Sequence, residues 1–176
     1  MEIAVDLKTS YYEVLENFLS EDDFTRIVNI VTSFSFPYFY QNEIGYNNEN
    51  EHLNCYFTHR LKDNFLPNSE YHNLFDSVIK KLNISDSLVY RIKVNCYPRT
   101  EKIIEHNPHI DYKDSHLACI LYINSNDGFT RIDKDVKIDS IANRLLLFDG
   151  SIPHNSTNCT NQKARFTANF NIFGAQ

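Results

Sequence analysis

From residue 88 to residue 173 the chain reads as one short strand after another, and this run constrains the fold more than any other feature. In an extended chain, residues at i and i+2 face the same way. Tyr90, Ile92, Val94 and Cys96 therefore oppose Arg91, Lys93, Asn95 and Tyr97, the pattern of a half-buried strand. Residues 117–123 form an apolar strand, and 124–128 supply its turn. Residues 129–132 and 136–138 flank Asp133-Lys134-Asp135 as a hairpin, and 144–148 form a buried strand ending at Asp149-Gly150. The last strand, 164–173, sets Arg165, Thr167, Asn169 and Asn171 against Phe166, Ala168, Phe170 and Ile172. Short strands punctuated in this way predict a sandwich or barrel.

The first half is mixed. Residues 11–18 suggest an opening strand. Ser20-Glu-Asp-Asp23 opens a capping-box-like helix over 21–33, with Phe24, Ile27, Val28 and Val31 at helical spacing. Residues 36–46, around Pro37, form an aromatic extended stretch suited to an edge. A polar loop over 47–51 and a strand over 55–61 follow. Asn68-Ser69 caps a second helix whose apolar stripe is Leu74, Phe75, Val78, Ile79 and Leu82, with Lys80 and Lys81 in its last turn. The chain has 176 residues, the size of a single domain with its own core. Residues 1–87 supply helical and strand support for a β core over 88–173. The fold class is thus mainly β with flanking helices that buttress one sheet.

A net charge of -6 and a pI near 5.6 argue against nucleic acid as a partner, because such binding rests on neutralising phosphates. No apolar run approaches the ~20 residues needed to span a bilayer. The first residues lack the charged start and apolar stretch of a signal peptide. Cys55, Cys96, Cys119 and Cys159 form no Cys-x-x-Cys pair, and reduced thiols are expected. The expectation is a soluble cytoplasmic protein. Its Asn-rich, Lys/Ile-leaning composition resembles a phage or AT-rich bacterial product, which would place it in a host cytoplasm.

Within the β half, His109-Ile110-Asp111 presents an imidazole and a carboxylate to one point if the segment is extended. His154 offers a third ligand downstream. Two His and one carboxylate on one face of a metal are the ligand set of non-haem Fe(II) oxygenases, with open positions left for other ligands. By the same alternation, the Arg165 guanidinium and the Thr167 hydroxyl share a face. His106 and His109, at i and i+3, face opposite ways, so His106 and His116 are expected behind the site or at the surface.

This order of residues resembles the 2-oxoglutarate/Fe(II)-dependent dioxygenase superfamily, in particular its small prolyl-4-hydroxylase-like members. The pattern is His-x-Asp, a long gap, His, and a basic residue shortly after. His109, Asp111, His154 and Arg165 stand in those places, and the resemblance covers residues 90–173. It implies a double-stranded β-helix (jelly-roll) core, Fe(II) on His109, Asp111 and His154, and 2-oxoglutarate as cosubstrate, with ascorbate supporting activity. It also implies release of succinate and CO2 as a small-molecule or peptide substrate, a prolyl residue first, is hydroxylated. Arg165 would hold the far carboxylate of 2-oxoglutarate, a task suited to a permanently charged guanidinium, assisted by Thr167 and Tyr97.

The sequence departs from the prolyl-hydroxylase type in carrying Arg165 where Lys is usual and one glycine, Gly128, where two are typical. Nucleic-acid demethylases of the superfamily carry a second Arg where this chain has Asn171. Several alternatives stay open. The histidines could be loop residues, Arg165 a structural ion-pair partner and Tyr97 a packed core residue. The whole could be a non-catalytic jelly-roll metal- or ligand-binding module, or a cupin-type enzyme without 2-oxoglutarate.

Overall fold

The computed structural model describes residues 11–42 and 55–174. Its strands are β1 (Tyr12–Leu15), β2 (Phe39–Gln41), β3 (Tyr56–Asp63), β4 (Leu66–Pro67), β5 (Val89–Pro98) and β6 (Leu117–Tyr122). They continue with β7 (Phe129–Ile132), β8 (Val136–Asp139), β9 (Leu145–Asp149), β10 (His154–Ser156) and β11 (Ala164–Ile172). Its helices are α1 (Glu21–Val31) and α2 (Asp76–Lys81). The larger sheet runs β1-β9-β6-β11-β5-β3-β2, with β4 on β3, and the smaller runs β10-β7-β8. Every pairing between these strands is antiparallel.

The two faces of the larger sheet divide the core. One cluster joins Ile27 and Val31 of α1, Val78 and Ile79 of α2, and Ile92, Val94, Ala168, Phe170 and Ile172 from the central strands. The second joins Ala118, Ile120, Tyr122, Leu146 and Phe148 of the larger sheet to Ile132 and Ile138 of the smaller. The polar face of β5 is therefore turned inward. Asn95 and Tyr97 are buried, so β5 is covered on both faces and not half-buried as its alternation suggests. Along β5 and β11, Tyr97 lies opposite Arg165, Asn95 opposite Thr167, Lys93 opposite Asn169 and Arg91 opposite Asn171. This polar ladder is the floor of the site.

Local chemistry sets the element ends. The Ser20 hydroxyl accepts from the Asp23 amide at 3.2 Å and donates to its carboxylate at 2.8 Å, starting α1. The second helix begins at Asp76 and not beside Ser69. The Ser69 hydroxyl instead accepts from the Tyr71 amide, a local turn that competes with helix. Its apolar stripe is buried as expected, and Lys81 reaches back to the Phe18 carbonyl. Residues 103–110 form no continuous strand. They touch their neighbour at two isolated bridges, Glu105 with Thr157 and His109 with His154. Pro108 between them lacks an N–H, which breaks the ladder. With few glycines, the chain gives four of its left-handed backbone positions to asparagine, at Asn17, Asn64, Asn83 and Asn143, a residue that tolerates that region. The aromatic stretch around Pro37 yields the edge strand β2. Phe36 is buried in the core and Tyr38 packs against it, while residues 43–46 of that stretch and the 47–51 loop lie outside the described residues. Among the described residues no helix is long and apolar enough to cross a membrane.

Phe170 stands against Phe75 edge-to-face, with centroids 5.4 Å apart, and joins the α2 region to the sheet. Replacing Phe170 with Ala should cost about 3–5 kcal/mol of stability. Replacing the fully exposed Phe34 with Ser should shift stability by less than ~0.5 kcal/mol. Urea unfolding measures both, and equal losses would show that the inter-layer contact is not a main support.

Candidate metal centre

His109 and His154 face each other across a reciprocal backbone pair, each amide donating to the other's carbonyl at 2.9 Å. Residues opposed in this way project side chains to the same face, and the two imidazole centroids lie 4.5 Å apart. Two residues on, the Asp111 amide donates to the Gly150 carbonyl, and the carboxylate turns to the same point. Each histidine Nε2 lies 3.9 Å from an Asp111 oxygen, and the three ligand atoms fall within 4.8 Å of one another. Ile110, between the two ligands of the arm, points outward and is 41% exposed. The donor set fits an Fe(II)-type ion.

The surroundings prepare these groups for a cation. The Nδ1 of His154 lies 2.9 Å from the Ile152 carbonyl. A carbonyl only accepts, so this nitrogen carries the proton and Nε2 keeps a free lone pair. Burial, then the neighbouring His154, pushes the His109 pKa down to about 4. Burial lowers His154 as well, so both rings are neutral, the ligating form. Burial alone would raise the Asp111 carboxyl. The Arg91 guanidinium, His154 and the Asn171 amide outweigh it and hold the group well below the usual carboxylate range. Arg91 Nη2 donates to Oδ1 at 2.9 Å and Asn171 Nδ2 to Oδ2 at 2.8 Å. Arg91 Nε also donates to Asn171 Oδ1, and Asn171 contacts His116 Nε2 at 3.0 Å. His116 is fixed in turn through its Nδ1 on the Asp114 carbonyl. A Cβ on Gly150 would run into the His116 ring, so the turn after β9 needs glycine there.

A cavity of about 360 Å³ opens in front of the triad. His109, Asp111 and His154 line it with Tyr97, Thr130 and Lys93, among others. Arg165 lies behind Tyr97 and Thr130 at 1% exposure. Its guanidinium donates to Ser140 Oγ at 2.7 Å, Thr130 Oγ1 at 3.0 Å and the Thr157 carbonyl at 3.2 Å. It is flanked by the Tyr97 and Tyr122 rings at 5.4 and 5.7 Å. No carboxylate among the described residues pairs with it, and burial lowers its pKa. A buried cation without a counter-ion is costly. A Cβ on Gly128 would lie 2.7 Å from the Arg165 Cδ, so the single glycine of the 124–128 turn makes room for the Arg165 side chain.

The sequence-predicted residues separate here. His109, Asp111 and His154 converge, Tyr97 lines the cavity with them, and Arg165 stacks behind Tyr97. Tyr97 is also packed between the Tyr56 and His106 rings. Thr167 shares Arg165's face but donates to Asn169 Oδ1 at 3.0 Å, beside Asn95, in an amide cluster of its own. His106 is buried, 2.9 Å from the Ser156 hydroxyl; burial, then Arg165, pushes its pKa down to about 3. Tyr122, Arg91 and Asn171 escaped the sequence reading. The Tyr122 hydroxyl is buried beside Thr130 and Arg165 with no hydrogen bond of good geometry. Alternation placed Arg91 and Asn171 on the right face; only the register sets them opposite each other.

By sequence, the chain matches no protein-family model and no curated protein. By structure it is similar to a prolyl hydroxylase from Trichoplax adhaerens, solved in complex with a hypoxia-inducible-factor oxygen degradation domain peptide fragment. That match has a TM-score of 0.65 and 18% identity, over 95% of this chain and 85% of the other. A Pseudomonas putida prolyl-4-hydroxylase matches with a TM-score of 0.65 and 15% identity, over 95% of each chain. The viral collagen prolyl hydroxylase of Paramecium Bursaria Chlorella virus-1, in its 2OG complex, matches at 0.53 and 15%, over 94% of this chain and 96% of that one. The fold is that of the prolyl hydroxylases and other 2OG-Fe(II) oxygenases.

Asn171 offers a direct test of how the carboxylate is held. Asn171→Ala should weaken binding of a divalent ion such as Mn(II) roughly 10–100-fold in calorimetric titration, as loss of a ligand's orienting partner does. Unchanged affinity would mean that Arg91 alone orients Asp111.

Proposed function

We propose that this protein is a 2-oxoglutarate- and Fe(II)-dependent dioxygenase that hydroxylates a prolyl or other amino-acid or peptide substrate. One observation carries the reading. A two-His, one-carboxylate face and a buried guanidinium with no carboxylate partner among the described residues flank one cavity, in a chain with the fold of such enzymes. The alternative of a non-catalytic binding module leaves that guanidinium without a purpose. In this reading the two sheets are the walls of a double-stranded β-helix, α1 and α2 buttress it, and the chain is one domain. The four free cysteines suit a reducing cytoplasm.

His109, Asp111 and His154 would hold the metal, and bound Fe(II) with 2-oxoglutarate would supply the dioxygen chemistry, yielding succinate and CO2. Arg165 would anchor the far carboxylate, its remaining N–H groups completing the bond, with the unsatisfied Tyr122 hydroxyl donating beside it. Tyr97 and Ile120 wall the cavity and limit water around the reacting groups. Arg91 and Asn171 keep Asp111 ionised and aimed. Thr167 acts on the cosubstrate only indirectly, through Asn169 on the cavity wall. A peptide is a natural candidate substrate, since the Trichoplax relative is described with one.

Purified protein with Fe(II), ascorbate and 2-oxoglutarate should release succinate slowly even without a primary substrate, and Asp111→Ala should abolish it. Tyr122→Phe removes one hydroxyl and should raise the KM for 2-oxoglutarate roughly tenfold or more, the scale of a hydrogen bond to a charged group. No succinate, together with no binding of metal or 2-oxoglutarate by calorimetry, would overturn the proposal.

A further inference from the structure

Lys93 lines the cavity with the three candidate ligands and is half-buried. Lys62 and Lys137 find carboxylates at 2.8 and 3.2 Å, on Asp86 and Asp139. Lys93 pairs with none among the described residues. Its ammonium sits 5.6 Å from the centre of the Tyr56 ring. The nearby charges make this position worse. Arg60 lies directly opposite it on β3, and Arg91 stands two residues along the same strand. Like charges opposed across a sheet are destabilising, and desolvating an unpaired ammonium adds to the cost. Both neighbours are already committed, Arg60 to Asp63 at 3.1 Å and Arg91 to Asp111 at 2.9 Å. A chain with a net charge of -6 has thus gathered its cations at this cavity.

We propose that the primary substrate carries a carboxylate and that Lys93 holds it. The inference rests on the dioxygenase reading, and three observations lead to it. Both oxygens of Asp111, a carboxylate close to Lys93, are held by Arg91 and Asn171, and its charge is owed to the metal. The two anionic ends of 2-oxoglutarate are met by the metal and by Arg165, so Lys93 is left over. Finally, Lys93 lies opposite Asn169, while Tyr97 lies opposite Arg165. The backbone positions of the two cations are therefore about 13 Å apart along the sheet at ~3.3 Å per residue, with Lys93 at the end nearer Arg91, the partner of Asp111. A carboxylate bound there would share the cavity with the three candidate ligands. Tyr56, whose burial pushes its pKa up to about 12, stays protonated beside it and can donate to the same group. The carboxylate could belong to a free amino acid or to an acidic side chain in a peptide.

The test compares three pools on the Fe(II)- and 2-oxoglutarate-loaded protein: free L-amino acids other than Asp and Glu, the same amino acids as amides, and N-acetylated Asp- or Glu-containing dipeptide amides. Succinate release above the substrate-free rate is read for each. In parallel, the thermal shift of Mn(II)-loaded protein reports binding without turnover. A carboxylate-bearing pool should stimulate release and raise the melting temperature, whereas the neutral amides should not. The first pool responding would identify a free amino acid, and the third an acidic side chain. Lys93→Met should raise the KM for the responding carboxylate roughly 10–100-fold and remove its thermal shift, and Lys93→Arg should restore most of both. Stimulation by the amides, no stimulation by any pool, or an unchanged KM in Lys93→Met would overturn the inference. The dioxygenase reading is judged separately, by the Asp111-dependent succinate of the wild-type protein.

Discussion

The site depends on one rung of backbone, the reciprocal pair of hydrogen bonds between His109 and His154. It converts two residues far apart in sequence into neighbours whose rings share a face. Asp111 follows from it by alternation alone, since two residues on an extended arm return to the same side. The rung is supported from both directions. β10 is carried by β7, and the arm is tethered by Asn155, whose amide donates to the His106 carbonyl at 2.7 Å and the Glu105 carboxylate at 3.2 Å. Glu105 in turn pairs with Arg131 on β7. The ligands are thus held by the smaller sheet, while the charges that tune them come from the larger.

Those charges are unevenly matched, and the unevenness is informative. Asp111 is oversupplied with donors, as suits a carboxylate that must stay ionised under burial. Arg165 is undersupplied: hydroxyls, a carbonyl and two aromatic rings solvate it, but no anion among the described residues neutralises it. A purely structural guanidinium on an inward-facing rung would be expected to find a carboxylate, because the desolvation cost is otherwise unrelieved. The same holds among the described residues for Lys93, which lines the cavity with the candidate ligands. The inner face of β5 and β11 therefore reads as a charge pattern awaiting anions, set in an otherwise acidic protein.

What could be read in the sequence follows from what is local. His109, Asp111, His154 and Arg165 were legible because their order along the chain and their two-residue periodicity survive into the fold unchanged. Thr167 shows the limit. Alternation gave the correct face, but its rung lies opposite Asn95, and the amides there take its hydroxyl. Tyr122, Arg91 and Asn171 could not be assigned because their roles depend on how β6, β11 and β5 are registered, which is a non-local property. The second helix starts late because Ser69 spends its hydroxyl on a turn. The 103–110 segment is an arm and not a strand because Pro108 interrupts its ladder.

That interrupted arm has a consequence for how an ion bound at the candidate centre would act on stability. Two of the three candidate ligands sit on a segment bridged to the rest at isolated points, and the third sits on a strand of three residues. An ion shared among them is a cross-link between two weakly joined pieces of backbone. By mass action it transfers binding free energy into the closure of the arm. The metal-free protein would then open here before anywhere in the cores around Ile27 or Phe148. Amide exchange at His109 and His154 would report metal loading more sensitively than any measure of global unfolding.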